Sequence, residues 1–325
     1  MSRFISSMKK VIQVVRPWNV AGVLAAQGMT IYNLSLEPKT QDLIWFLIAS
    51  AITVVAGHII RDIKDYESDQ INEPEKLWIG KRLSLEEARY LYWTLFFLAS
   101  VSAFMISVEA YFLFTVVQLL QFVNAVVLKQ LPIVGNFLMS GVVVYAILIV
   151  PEIFDAPLSD YPWPVVYIGY YILFLIELVS DIRSVKGDTI NRRLSIPVLL
   201  GKDTSQSMLW VLILLPTLLF VGGFIYFVSV YWRSMFIVME EETIIAVSLM
   251  LSMVVLPISY LSYVTYRARI GKHSLYRLQN ELKFLLALGM LYWGIGLFSA
   301  NHESIEQAPT SDLGLQISAS PITLS

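Results

Sequence analysis

Arg61-Asp62-Ile63-Lys64-Asp65-Tyr66-Glu67-Ser68-Asp69-Gln70-Ile71-Asn72 is the stretch on which the reading of the chain turns. It follows a long apolar run, Leu43 to Ile60. Asp62, Asp65 and Asp69 fall at i, i+3 and i+7, so a helix carries all three carboxylates on one face. Like charges held that close repel, and the arrangement costs stability unless a cation sits among them. Hard divalent cations prefer oxygen ligands, and Mg²⁺ often binds through a few carboxylates together with substrate phosphates.

The stretch has a twin. Asp181-Ile182-Arg183-Ser184-Val185-Lys186-Gly187-Asp188-Thr189-Ile190-Asn191 repeats it at an offset of 119, with five of eleven positions identical. The second copy also follows an apolar run, Val165 to Val179. Each copy is trailed by a Gly-Lys pair, Gly80-Lys81 and Gly201-Lys202. Such a repeat implies two related halves around one shared site. Ser184 stands where the first copy has Asp65.

Working outward, the composition is that of a membrane protein. Of 325 residues, 57% are hydrophobic and 15% charged, and the mean hydropathy is +0.66. This is too apolar for an ordinary soluble domain. The net charge of −2 and the lack of a basic block give no sign of nucleic-acid binding, and with no cysteine there is neither a disulfide nor a thiol nucleophile. Arg16-Pro17-Trp18-Asn19 interrupts the early apolar stretch, so the first span is expected to stay uncleaved.

Nine spans are expected, preceded by a short amphipathic interfacial helix over 1–15. They cover roughly 19–34, 42–61, 84–108, 110–129, 133–153, 165–181, 207–230, 243–266 and 281–300. The acidic stretch is read as the end and exit of the second span, and 70–84 as a polar loop mirrored by 186–205. Ser84 with Glu87 reads as a capping box opening the third span. Leu131-Pro132 breaks the chain before the fifth. With the N-terminus in the cytoplasm and the C-terminus outside, 21 of 23 basic residues lie on the cytoplasmic side, leaving Lys39 and Arg233 outside. Both acidic stretches then share the cytoplasmic face. Residues 1–300 form one domain in this reading, and the Ser/Thr/Pro-rich tail 301–325 is disordered. The expected location is a multi-pass place in a cell membrane, taken as the inner membrane of a bacterium.

Two acidic helix ends under basic loops suit a diphosphate held through Mg²⁺, which bridges carboxylates to phosphate oxygens and neutralises the leaving group. A lipid tail on that diphosphate explains a site at the membrane surface, with the tail in a cavity between helices. Lys81, Arg82, Arg192 and Arg193 read either as phosphate contacts or as topology signals. His58, one turn before Asp62, either hydrogen-bonds it or packs. Glu177, one turn before Asp181 and inside an apolar span, is a functional candidate that either orients metal ligands or steers an acceptor.

These motifs resemble the UbiA superfamily of intramembrane prenyltransferases. That family carries Asn-Asp-x-x-Asp-x-x-x-Asp after its second span and a second Asp-rich motif after its sixth. Here they read Arg61-Asp62-x-x-Asp65-x-x-x-Asp69 and Glu177-x-x-x-Asp181-x-x-Ser184-x-x-x-Asp188. Arg193-Leu194-Ser195-Ile196-Pro197-Val198-Leu199-Leu200-Gly201 is similar to the stretch that follows the second motif. Arg16-Pro17-x-Asn19 and Lys129-x-x-Pro132-x-x-Gly135-Asn136 resemble the opening motif and the corner between spans four and five.

The resemblance implies an all-α integral membrane bundle of nine helices. It implies transfer of a prenyl group from an allylic isoprenyl diphosphate to a lipophilic acceptor, with membrane lipid around it and no nucleic-acid partner. It implies Mg²⁺ on Asp62, Asp65, Asp69, Asp181 and Asp188, which are also the expected catalytic residues. Substrate binding then falls to Asn19, Arg61, Lys81, Arg82, Lys129, Asn136, Glu177 and Arg193, with Lys129 readable also as a positive-inside anchor. Tyr66, Trp78 and the tyrosines of the sixth span are candidates to shield an allylic cation, or are ordinary interface aromatics. Arg61 and Ser184 depart from the family pattern. Each removes one expected metal or water ligand, and Arg61 either contacts the diphosphate itself or marks a site with fewer Mg²⁺ ions. Two rivals remain: a cyclase of the same superfamily, and a non-catalytic lipid carrier.

Overall fold

The computed structural model describes residues 14–128, 131–157, 163–215, 260, 262–263, 266–267 and 275–289. Its described elements are helices: α1 (Pro17–Asn33), α2 (Thr40–Asn72), α3 (Leu85–Phe104), α4 (Val108–Val126), α5 (Val134–Ile153), α6 (Trp163–Ile190) and the short α7 (Ile196–Leu200). Residues 202–215 and 275–289 are helical too. The expected helix over 1–13, Lys129, most of spans seven to nine and the tail lie outside the described residues.

Local chemistry sets the boundaries. Pro17 opens α1 with its φ preset for a helix, and Arg16 before it turns the chain in the left-handed region, φ 50°. The Ser84–Glu87 capping box forms as expected. The Ser84 hydroxyl accepts from the Glu87 N–H at 3.2 Å, and the Glu87 carboxylate accepts from the Ser84 N–H at 2.6 Å. The Ser107 hydroxyl accepts from the Ala110 N–H at 2.9 Å to start α4. After Leu131-Pro132 the chain enters α5 through Ile133, φ 69°.

Helix α2 is central, packing against α1, α3, α4 and α6. Its 33 residues make a rod of roughly 50 Å, longer than a hydrocarbon core of about 30 Å. The acidic stretch is therefore not a break after a span. The helix runs unbroken through it to Asn72, and α6 likewise runs through its twin to Ile190. The helices persist because each supplies polar partners to the other's charged turns.

The expected polar loop 70–84 is also more structured than its composition implies. Beyond Asn72 come a single turn of tight helix, Pro74–Lys76, and a fold-back in which Trp78 and Ile79 are buried with Ile59, Ile60 and Ile63. Gly80 takes φ +79°, and a Cβ there would meet the Tyr66 hydroxyl at 2.6 Å.

Three apolar clusters hold the bundle. One joins α2, α4 and α5 around Phe46, Phe114 and Ile149. A second lies under the Trp78 fold-back. The third joins α6 to 202–215 and 275–289 around Leu178, Leu209 and Leu278. Large apolar side chains also face outward, among them Trp93, Phe97 and Phe112, as expected of helices whose surroundings are lipid. Among the described residues, α2, α4 and α5 are long and apolar enough to cross a membrane.

Candidate active site

The twin stretches face each other. Asn72 of α2 accepts from the Gly187 N–H at 2.9 Å and donates to the Ser184 carbonyl at 2.9 Å. Gly187 allows this approach: a Cβ on it would meet the Asn72 amide at 2.5 Å and the Ser68 carbonyl oxygen at 2.6 Å. Ser68 and Gly187, positions equivalent in the repeat, thus lie against each other.

Charges alternate across the same interface. Arg61 on α2 donates twice to Glu177 on α6, at 3.0 and 2.6 Å, and its Nε lies 3.8 Å from Asp65. Asp181 acts on the same guanidinium electrostatically. Arg193, beyond the end of α6, donates to Asp65 at 2.6 Å and to the Lys64 carbonyl oxygen. The same Nη1 is 3.9 Å from Asp188. Asp188 accepts hydroxyl hydrogen bonds from Ser68 and Ser184, both 2.8 Å. Asp65, Asp181 and Asp188 are all buried.

The remaining site residues fall around this core. Asp62 is held by Arg16 at 2.6 Å and by the Trp78 indole N–H at 2.7 Å. Asn136, at the start of α5, donates to Asp181 at 2.8 Å. Asp69 lies half-buried one turn beyond Asp65, and its carbonyl accepts from the Glu73 N–H at 2.9 Å. His58 is half-buried and its Nε2 faces the Asn19 amide at 3.2 Å rather than Asp62. Lys81 reaches the Pro74 carbonyl and Arg82 is exposed.

Several of these residues have protein partners that the sequence does not show. Arg61 pairs with Glu177. Trp78 braces Asp62 through its N–H, and Tyr170 and Tyr171 donate to the carbonyls of Phe137 and Leu212. Ser184, read as a lost ligand, holds Asp188 in place. Sequence reasoning passed over Ser68 and Asn72, although Asn72 is one of the identities of the repeat. It also passed over Arg183, which pairs with Glu73, donates to Gln279 and lies over the Tyr276 ring.

Beside the Arg61–Glu177 pair a cavity of about 20 Å³ runs between α2, α4, α5 and α6, lined in part by Gln121, Asn124 and Asn136. It has room for about one water, not for a prenyl chain. A larger groove of about 310 Å³ lies at the opposite end of α3 from Ser84, lined by Phe96, Phe97, Phe104 and Tyr111.

The donor set suits a hard cation. Asp65 and Asp188 come from different helices and converge on one nitrogen of Arg193. Two carboxylates completed by phosphate oxygens is a common way to hold Mg²⁺. Among the described residues no three acidic or histidine side chains form one metal-binding group, so the five expected aspartates are not gathered at a single point.

The fold and site define an all-helical membrane bundle with paired acidic helices. A sequence profile for the UbiA prenyltransferase family matches residues 20–243. The chain belongs to that family. Digeranylgeranylglyceryl phosphate synthase from Methanobrevibacter smithii is 25% identical over 210 residues, 61% of this chain and 71% of the relative. The protein of the same name from Thermococcus sibiricus is 28% identical over 213 residues, 62% of this chain and 72% of the relative. Among solved structures, the apo UbiA homologue from Aeropyrum pernix K1 gives a TM-score of 0.59 at 17% identity, covering 84% of this chain and 96% of that one. A UbiA homologue from Archaeoglobus fulgidus bound to DMAPP and Mg²⁺ gives 0.58 at 14% identity, covering 89% and 99%. At these identities the structural likeness establishes the fold. The organisms named are archaeal, and nothing in them points to the bacterial membrane expected from sequence.

Proposed function

We propose that the protein transfers a prenyl group from an allylic isoprenyl diphosphate to a lipophilic acceptor, in a Mg²⁺-dependent reaction at the cytoplasmic membrane face. The observation that carries this is the meeting of Asp65 and Asp188, from twin helices, at the guanidinium of Arg193. The first acceptor to try is a prenylated glyceryl phosphate, since two relatives are named as synthases of such a lipid.

Asp65 and Asp188 would hold the Mg²⁺ that accompanies the diphosphate, with Asp62, Asp69 and Asp181 completing the acidic surround. Mg²⁺, when bound, neutralises charge developing on the leaving diphosphate. Arg193 follows α6 on a non-helical turn and can move from the carboxylates to phosphate oxygens. Lys81 and Arg82 supply further positive charge from the turn before α3, and Lys129 adds another. Asn136 and Asn19, at the starts of α5 and α1, hold Asp181 and His58 and stand ready to meet the substrate. As the allylic C–O bond breaks, the acceptor oxygen takes the allylic carbon and gives up its proton. The bundle has nine spans within a single domain, 1–300, with its N-terminus cytoplasmic and its C-terminus outside. The skew of basic residues and the shared side of both acidic stretches support that topology.

The test is incubation of the detergent-solubilised protein with Mg²⁺, allylic diphosphates of increasing length and a prenylated glyceryl phosphate. The expected result is diphosphate release and a prenylated product that both require Mg²⁺ and acceptor. A cyclic hydrocarbon formed without acceptor, or no diphosphate release with any donor, overturns the proposal.

A further inference from the structure

We propose that the Arg61–Glu177 pair is a built-in cation bridge between the two acidic helices, standing where a metal ion would otherwise join them, so that one metal position remains, at Asp65 and Asp188. This rests on reading the site as a Mg²⁺–diphosphate site.

The side chains form a line of alternating charge: Glu177, Arg61, Asp65, Arg193, Asp188. Its members lie 2.6 Å apart at the Arg61–Glu177 contact, 3.8 Å at Arg61–Asp65, 2.6 Å at Arg193–Asp65 and 3.9 Å at Arg193–Asp188. Three carboxylates from two helices can converge only with positive charge between them, and here two guanidiniums supply it.

The two arginines are not equivalent. Arg61 and Glu177 both project from long helices, and the doubled hydrogen bond fixes the planar guanidinium against the carboxylate. Their side chains are 23% and 16% exposed. Mg²⁺ keeps several waters and a near-octahedral shell. The adjoining space of about 20 Å³ takes about one water, little for an ion with several waters while the pair stays in place. Arg193 follows Arg192, which turns the chain at φ 55°, and is carried on a segment between α6 and α7. It can leave Asp65 and Asp188 without disturbing a helix. A metal is therefore exchanged for Arg193, whereas Arg61 stays. Arg61 and Glu177 are positioning residues in this scheme, setting the separation of the helices that carry Asp65 and Asp188.

The experiment counts metal ions directly. Mn²⁺ bound per chain is measured by electron paramagnetic resonance on the full-length, detergent-solubilised protein with inorganic diphosphate. The wild type is expected to bind one Mn²⁺. Arg61→Asn is expected to bind two, with the Mg²⁺ needed for half-maximal turnover raised about tenfold, as for lost outer-shell support of a metal site. The double exchange Arg61→Glu with Glu177→Arg keeps a salt bridge between the helices and is expected to return the count to one, which decides the matter if the single variant does not fold. Two Mn²⁺ on the wild type, one on a folded Arg61→Asn, or two on the double exchange overturns the inference while leaving the prenyltransferase reading intact. No Mn²⁺ binding by the wild type overturns that reading as well.

Discussion

Asp65 on α2 and Asp188 on α6 meet at the same nitrogen, yet they are held in different ways. Asp65 lies against two guanidiniums, Arg193 at 2.6 Å and Arg61 at 3.8 Å. Asp188 is held by two hydroxyls at 2.8 Å, with the nearest guanidinium nitrogen at 3.9 Å. A hydroxyl orients a carboxylate without cancelling its charge, whereas a guanidinium does both. The same division appears one turn earlier on α2, where Arg16 grips Asp62, and two turns earlier on α6, where an amide, Asn136, holds Asp181. The two halves share a plan and split the work. On α2, Asp62 and Asp65 come with guanidiniums attached, and on α6, Asp181 and Asp188 are oriented by neutral donors, while Glu177 takes the guanidinium of Arg61.

The strongest test of this division removes one acid at a time. Asp188→Ala and Asp65→Ala are each expected to cut Mg²⁺-dependent diphosphate release on the order of a thousandfold, the scale of several kcal/mol of lost charge stabilisation. Wild-type turnover in Asp188→Ala would end the comparison. A smaller effect is expected at the helix crossing. Gly187→Ala forces a methyl onto Asn72 and Ser68 and should lower stability by about 1–3 kcal/mol, seen as a drop in Tm. Ser68→Ala removes the hydroxyl that donates to Asp188 and accepts from Asn72 without adding bulk, and should cost about 1 kcal/mol.

Restoring the missing acid sharpens the contrast further. Ser184→Asp sets a second carboxylate beside Asp188. Its Tm without divalent ions should fall by the equivalent of about 1 kcal/mol, and the rise in Tm on adding Mg²⁺ should exceed that of the wild type. An unchanged response to Mg²⁺ would count against Asp188 as a ligand. The smallest effect on turnover serves as the reference: Ser84→Ala breaks the capping box of α3, away from both acids. It should cost about 1 kcal/mol of stability and leave turnover per folded molecule unchanged.

Much of this was legible in the sequence, because it is written locally. Apolar runs gave the helices, Ser84 and Glu87 gave the start of α3, and the offset of 119 brought the two acidic stretches to one place. What escaped depends on partners far along the chain. Arg61 and Glu177 are 116 residues apart, and no periodicity links an odd basic residue in one motif to an odd acid near the other. The acidic stretch looked like a helix exit because charge clusters usually face water. Its polar groups instead find partners on α6, so the helix does not stop. The short apolar run Leu77-Trp78-Ile79 sits inside a polar, charged segment, and that loop composition conceals the two buried anchors Trp78 and Ile79. Ser184 looked like a loss when compared with Asp65 alone, and its use is visible only with Asp188 beside it.

The meeting of Ser68 with Gly187 carries a consequence for the chain's symmetry. When matching points on two copies of a motif touch, whatever occupies one must leave space for the other. Serine at both would drive a side-chain carbon into the opposing backbone, and glycine at both would forfeit the hydroxyl that steadies Asp188. A protein assembled from two identical halves could not seal at this point, so the fold itself requires the copies to differ there.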